Sequence, residues 1–345
     1  MKYLRFIFLL LIVTAVSCSK TDTQYNSVVD PTNTSWLVDV NDIIHLGSEK
    51  DKIKSLDTLL FTSPGLSTLE DDEMVLAYSH NGIVHIYPMS VMEVHEIIND
   101  SIDDHYFSIT HCPLTASSLA WNREIKGEIR SFGISGQLFK ENLIPYDRNS
   151  GSNWSQMLSL CINGPLVGEE LQTLHLIKTK YSTIKEFYPD AMVLDHSHCN
   201  ELGCIRGLKN SNEEPDSGSN SDIVDTEKYY GLVSPNAVSL FPLSFVNRDL
   251  KLVYLNSPNS GTMLLTSDSL ALLTAYYTNG RSFTIVYDSL PLIMKDNEGN
   301  YYDLFGYVVE GDGIGMRLDR PTSFNAHTFA WKNIFDSRAN ISLIE

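Results

Sequence analysis

The stretch Met74-Val75-Leu76-Ala77-Tyr78-Ser79-His80-Asn81-Gly82-Ile83-Val84-His85-Ile86-Tyr87-Pro88 decides the fold class. Two apolar runs flank Ser79-His80-Asn81-Gly82. Asn-Gly between such runs is the strongest short-range hairpin signal, because both central residues of the turn take positive φ. Pro88 has no N–H for a further ladder bond and closes the second strand. Ser90 then reads as an N-cap, with Glu93 completing a capping box. Val91, Val94, Ile97 and Ile98 recur at helical spacing, so a short amphipathic helix is expected from Ser90 to Asn99. Tyr106-Phe107-Ser108-Ile109-Thr110 alternates like a strand, and strand-like pieces follow at 118–122, 130–134 and 137–139. Thr183 to Phe187 reads as a helix end, closed by Tyr188-Pro189-Asp190.

The text from Gly207 to Lys228 is polar, with the composition of a linker or long surface loop. A second block runs from Tyr229 to the end. It carries another Asn-Gly pair, Asn279-Gly280, and a tight turn at Asp296-Asn297-Glu298-Gly299-Asn300. Its last aromatic segment, Thr328 to Phe335, parallels Thr183 to Tyr188 of the first block. The expected class is α+β, mostly antiparallel strands with a few short helices. Two related halves are expected, 36–206 and 229–345, joined by 207–228, as a degenerate duplication would leave them.

The amino terminus has a different character. Met1-Lys2-Tyr3-Leu4-Arg5 is basic, and Phe6 to Val16 is apolar apart from Thr14. That run is too short to span a bilayer as a helix and fits a secretory signal over 1–17. Ala15-Val16-Ser17-Cys18 is similar to the lipobox of bacterial lipoproteins. Cys18 is therefore expected to carry lipid, palmitate among its chains, and 18–35 to act as a flexible tether. The expected location is the bacterial cell envelope, periplasmic or outer-surface, with the membrane as a partner through Cys18. A net charge of -18 argues against nucleic acid as a partner, since phosphates would be repelled. Hydrophobic residues make up 43% of the chain, enough for an ordinary globular core. Cys199 and Cys204 are spaced to close a small loop by disulfide, and Cys112 and Cys161 suit buried thiols.

Polar residues of chemical interest concentrate between His95 and Gln156. The runs are His95-Glu96-Ile97-Ile98-Asn99-Asp100, Thr110-His111-Cys112-Pro113-Leu114, Phe132-Gly133-Ile134-Ser135-Gly136, Tyr146-Asp147-Arg148 and Ser152-Asn153-Trp154-Ser155-Gln156. With Gly164-Pro165-Leu166-Val167-Gly168 and Tyr188-Pro189-Asp190 they make seven motifs in one order. That order resembles the exported prokaryotic domain-of-unknown-function 3179 family over residues 70–195. The resemblance implies export and a two-part fold, and no established activity. The family's cysteine motif commonly has Tyr and a second Cys where this chain has His111 and Thr115, which removes a local Cys-x-x-Cys couple.

The expected pocket is formed by His95, Glu96, Asp100, His111, Cys112, Ser135, Asp147, Arg148, Trp154 and Gln156. It would take a small molecule or a metal. His95 and Cys112 are ligand types for Zn²⁺ or copper, with His111 diverging from Cys112 along its strand. The competing expectations are a metal- or thiol-dependent enzyme with Asp147 or Glu96 as base, and a structural module without a site. Asp195-His196-Ser197-His198-Cys199 is a second metal-like run. Asp147-Arg148 reads as an ion pair steadying a turn, and Trp154 as core. Gly133 to Gln137 lacks the final Gly of a nucleophile elbow. No phosphate-binding glycine loop occurs.

Overall fold

The hairpin at Met74–His80 and Ile83–Pro88 forms as expected, with Asn81 at φ 49° and Gly82 at φ 79° in its turn. The computed structural model describes residues 35–195, 227–243, 249–257, 260–287, 290–335 and 340–343. The signal, Cys18, the tether, the His196–Cys204 run and almost all of the polar linker lie outside these residues.

Leu176–Lys180 and Met192–Leu194 flank the hairpin, the first antiparallel to Met74–His80 and the second parallel to Ile83–Pro88. The second block repeats this order. Thr322–His327, Lys228–Ser234, Ala237–Pro242 and Asn340–Leu343 lie side by side, and again only the last pair is parallel. A three-stranded antiparallel meander follows in each block. It is Ile97–Ile102, His105–Cys112 and Ser117–Asn122 in the first, and Lys251–Ser257, Ser260–Ser267 and Leu272–Tyr277 in the second. A further antiparallel sheet comes next, from Phe132–Phe139 to Leu160–Asn163 and from Phe283–Ile285 to Val308–Glu310. Helix Tyr181–Phe187 closes the first series and helix Thr328–Phe335 the second. The class is α+β with mostly antiparallel strands. Among the described residues no helix is long and apolar enough to cross a membrane.

The helix after Pro88 departs from expectation. It spans Met89–His95, its N-cap is Pro88, and no side chain caps it. Glu96 at φ 57° stops it, and Ile97 and Ile98 enter strand Ile97–Ile102. Two β-branched residues pack better on a pleated sheet than in a helical turn, and pairing with His105–Cys112 decides the matter. Asn279-Gly280 takes the hairpin conformation, yet the strands on either side run into different sheets. The Gly133–Gly136 stretch lies inside strand Phe132–Phe139, where the register shifts between Ile134 and Leu138. That irregularity is a bulge, which bends the strand without ending it.

The cores draw on both blocks. One cluster joins Trp121, Phe132 and Trp154 to Val238, Leu240, Trp331 and Ile334. Another joins Val75, Ile86 and Ile177 to Met263, Tyr276 and Phe305. Each such side chain, taken fully out of water, contributes about 1.5–3 kcal/mol. Gly231 lets helix Thr328–Phe335 lie close on strand Lys228–Ser234 within the second block: a Cβ there would lie 2.4 Å from the Trp331 ring.

Candidate functional site

The expected pocket residues are distributed over separate hydrogen-bond networks. Gln156 is fully buried. Its Oε1 accepts from Ser117 Oγ and Asn142 Nδ2, each at 2.7 Å, and its Nε2 donates to Thr110 Oγ1 at 3.1 Å. These bonds saturate the amide and tie three strands together. Asp147, also fully buried, pairs with Arg130 Nη1 at 3.3 Å and accepts from the N–H groups of Asn149 and Ser150. Arg148 does not pair with it. The Arg148 guanidinium, in the turn that follows strand Asn142–Asp147, reaches Asp51 at 3.0 Å and Asp57 at 3.2 Å. Asp100 accepts from Tyr87 Oη at 2.6 Å and sits 2.8 Å from His85 Nδ1. Ser135 Oγ donates to the Ile144 carbonyl across the bulge. Trp154 is core, 6.1 Å from the Phe132 ring.

His95 and Cys112 serve different surroundings. His95 Nδ1 lies 2.7 Å from the Lys54 carbonyl, and the Cys112 thiol points to the Glu141 carbonyl at 3.8 Å. Burial pushes the Cys112 thiol up and pushes the Cys161 thiol to about 12, so both stay protonated and inert near neutrality. Both are free cysteines. Among the described residues no group of three or more His, Cys, Asp or Glu side chains is arranged to hold a metal ion.

A small solvent-open cleft lies elsewhere, where the two blocks meet. Leu76, Leu176, Leu273 and Phe324 give it apolar walls, and Ser118, Lys178, Ser323 and Asn325 give it polar groups. Equivalent strand positions line it. Lys178 lies opposite Leu76, the third residue of Met74–His80; Asn325 lies opposite Tyr230, the third residue of Lys228–Ser234. Ser118 and Leu273 are each the second residue of the last meander strand.

The first block supplies the charge. Burial and nearby Lys228 lower Lys178 to about 8, against the pull of Glu93. No carboxylate lies within 4.0 Å of its ammonium among the described residues. Burial raises Glu93, but its hydrogen bond to His111, the attraction of that ring when it carries charge, and then Lys178 and Lys228 outweigh that and hold it below the usual carboxylate range. His111 is buried between Glu93 Oε1, 3.2 Å from Nε2, and Ser118 Oγ, 2.9 Å from Nδ1. In the second block, Tyr230 Oη donates to Ser323 Oγ at 2.8 Å, and Asn325 Oδ1 is buried without a hydrogen-bond partner among the described residues.

None of the expected residues lines this cleft, and His111 reaches it through its hydrogen bond to Ser118. Lys178, Ser118 and Asn325 lie on strands whose sequence says only that alternate residues face the same way. Glu93 looked like a helix cap because it follows Ser90 by three residues, the spacing of a capping box.

The fold and cleft define a mostly antiparallel α+β protein with a polar-lined recess between its halves. The chain belongs to the family described as protein of unknown function, DUF3179, whose sequence model matches residues 50–338. No curated protein and no solved structure matches it.

Proposed function

We propose that this protein is an exported lipoprotein, anchored through Cys18, whose inter-block cleft binds a small acyl compound carrying a hydrogen-bond donor. The observation that carries the reading is the convergence of Lys178, Ser118 and Asn325 on one recess. The Asn325 Oδ1 atom is buried and unpartnered among the described residues. Leaving such an atom unsatisfied costs about 1–3 kcal/mol, which a donor on a ligand would offset. The Lys178 ammonium suits a carboxylate or carbonyl oxygen, and the leucines suit a short apolar chain.

Duplication accounts for the equivalent walls. The repeated strand orders support it, and so does a loop shared in detail. In the first block Cys161 N donates to Glu169 O, Gly168 N to Cys161 O and Leu171 N to Ser159 O. In the second, Val308 N donates to Met316 O, Gly315 N to Val308 O and Leu318 N to Gly306 O. Gly164 and Gly311 take φ of 102° and 116° in the two copies.

N-acetylglycine, with a carboxylate and an N–H, is the probe. Titrated into the protein, it should shift the amide resonances of Lys178, Ser118 and Asn325 to saturation, and Lys178→Ala should abolish the response. Absence of saturating shifts at these residues in the unaltered protein would overturn the reading. The anchor is tested separately: labelled palmitate should enter the protein and fail to enter the Cys18→Ser variant.

A further inference from the structure

We propose that Ser118, His111 and Glu93 form a nucleophile, base and carboxylate chain that transfers an acyl group from an ester to water within the cleft. The proposal rests on the reading of the cleft as an acyl-compound site.

The hydrogen-bond roles follow from the chemistry of Glu93. Its carboxyl is held below its usual range and is therefore ionised near neutrality. An ionised carboxylate can only accept, so the His111 Nε2 atom 3.2 Å away carries the proton. In a neutral imidazole the other nitrogen is then the bare one. Nδ1 lies 2.9 Å from Ser118 Oγ, so the hydroxyl donates to it. The Ser118 proton is thus aimed at a base whose far side is steadied by a negative charge, as a general-base pair requires. Ser118 lines the cleft, and so does Lys178, whose ammonium suits a developing oxyanion there. His111 is only 1% exposed, which fixes the ring plane. The cross-strand register of His111 and Ser118 fixes the distance.

The reaction balances with water as the only co-reactant. Ser118 Oγ attacks the ester carbonyl carbon while Nδ1 takes the hydroxyl proton. The carbon–oxygen bond to the alcohol breaks, and the imidazolium returns that proton to the departing alkoxide. The acyl group is left on Ser118. A water molecule, deprotonated by Nδ1, attacks the acyl carbon and releases a carboxylic acid, and Ser118 regains its proton. Glu93 touches neither substrate nor reacting atoms and is a positioning residue.

The mature chain is treated with a fluorophosphonate probe and mapped by peptide mass spectrometry, with p-nitrophenyl acetate turnover measured in parallel. A phosphonate adduct is expected on the Ser118 peptide. Ser118→Ala should remove both the adduct and the turnover while retaining the thermal unfolding transition. Glu93→Gln, a substitution at a half-exposed position, should slow labelling by about tenfold or more and move the acid limb of the labelling rate to lower pH. A merely structural carboxylate would leave that limb in place. An unmodified Ser118, or equal ester turnover in Ser118→Ala, overturns the proposal. If Ser118 stays unmodified while N-acetylglycine still binds, catalysis falls and the binding reading stands. If neither occurs, both fall.

Discussion

Glu96→Gln should make this protein more stable above neutrality and leave it unchanged in acid. Glu96 ends the Met89–His95 helix with a positive φ, φ 57° and ψ −30°, at a partly buried position. Burial, and then the charge of Glu93, raise its carboxyl to about 7 from an ordinary 4.5. A folded-state value above the unfolded one means that the folded state holds the extra proton. The associated stability is complete below about pH 4.5 and is lost as pH rises through about 7. A shift of this size separates the two protonation states by about 3 kcal/mol, and partial exposure of the residue reduces the usable part to about 2 kcal/mol. Gln has the same shape and the same reluctance to adopt positive φ, so backbone strain cancels between the two proteins. Urea unfolding followed by circular dichroism should therefore give a Glu96→Gln advantage of about 2 kcal/mol near pH 8 that vanishes near pH 4. A pH-independent difference, or a loss of stability near pH 8, would refute the reasoning.

Other outcomes follow from the packing. Gly231→Ala should cost about 1–3 kcal/mol, read as a lowered urea midpoint, because its Cβ would sit 2.4 Å from two Trp331 ring atoms in a core that cannot easily yield. Gln156→Leu removes both acceptor and donor from Ser117, Asn142 and Thr110, and the stranded groups should cost about 2 kcal/mol or more in the same assay. Cys112 and Cys161 should resist a thiol reagent near pH 8 in the native protein and react fully in urea, as peptide mapping would show; native-state labelling of either would contradict their burial.

The hairpin was legible because Asn81-Gly82 is local chemistry: two residues that tolerate positive φ suffice to announce it. The helix boundary at Glu96 was not, because periodicity continues through Ile97 and Ile98 while pairing with Thr110 and Ile109 claims them for a sheet. The polar residues from His95 to Gln156 stood out by type, but residue type cannot distinguish a saturated structural amide from an open site. Gln156 shows this, with every partner supplied from within the fold. Lys178 and Asn325 were invisible as a pair, since nothing short of the tertiary structure brings two strands so distant in sequence to one cleft. The family resemblance over the first block was sound, and the match extends through residue 338.

The shared cores also govern when this protein can fold. Thr173 Oγ1 meets Thr322 Oγ1 at 2.8 Å, the Lys140 ammonium holds the Asn333 carbonyl at 2.7 Å, and His327 N donates to the Thr115 carbonyl at 2.9 Å. Closing loops of such length is entropically expensive and slow, so the folding barrier falls late, after the whole chain is present. Until helix Thr328–Phe335 arrives, the surfaces around Trp121 and Trp154 have no cover from Trp331 and Ile334. A nascent or truncated chain therefore stays open and is vulnerable to proteases if its synthesis stops early.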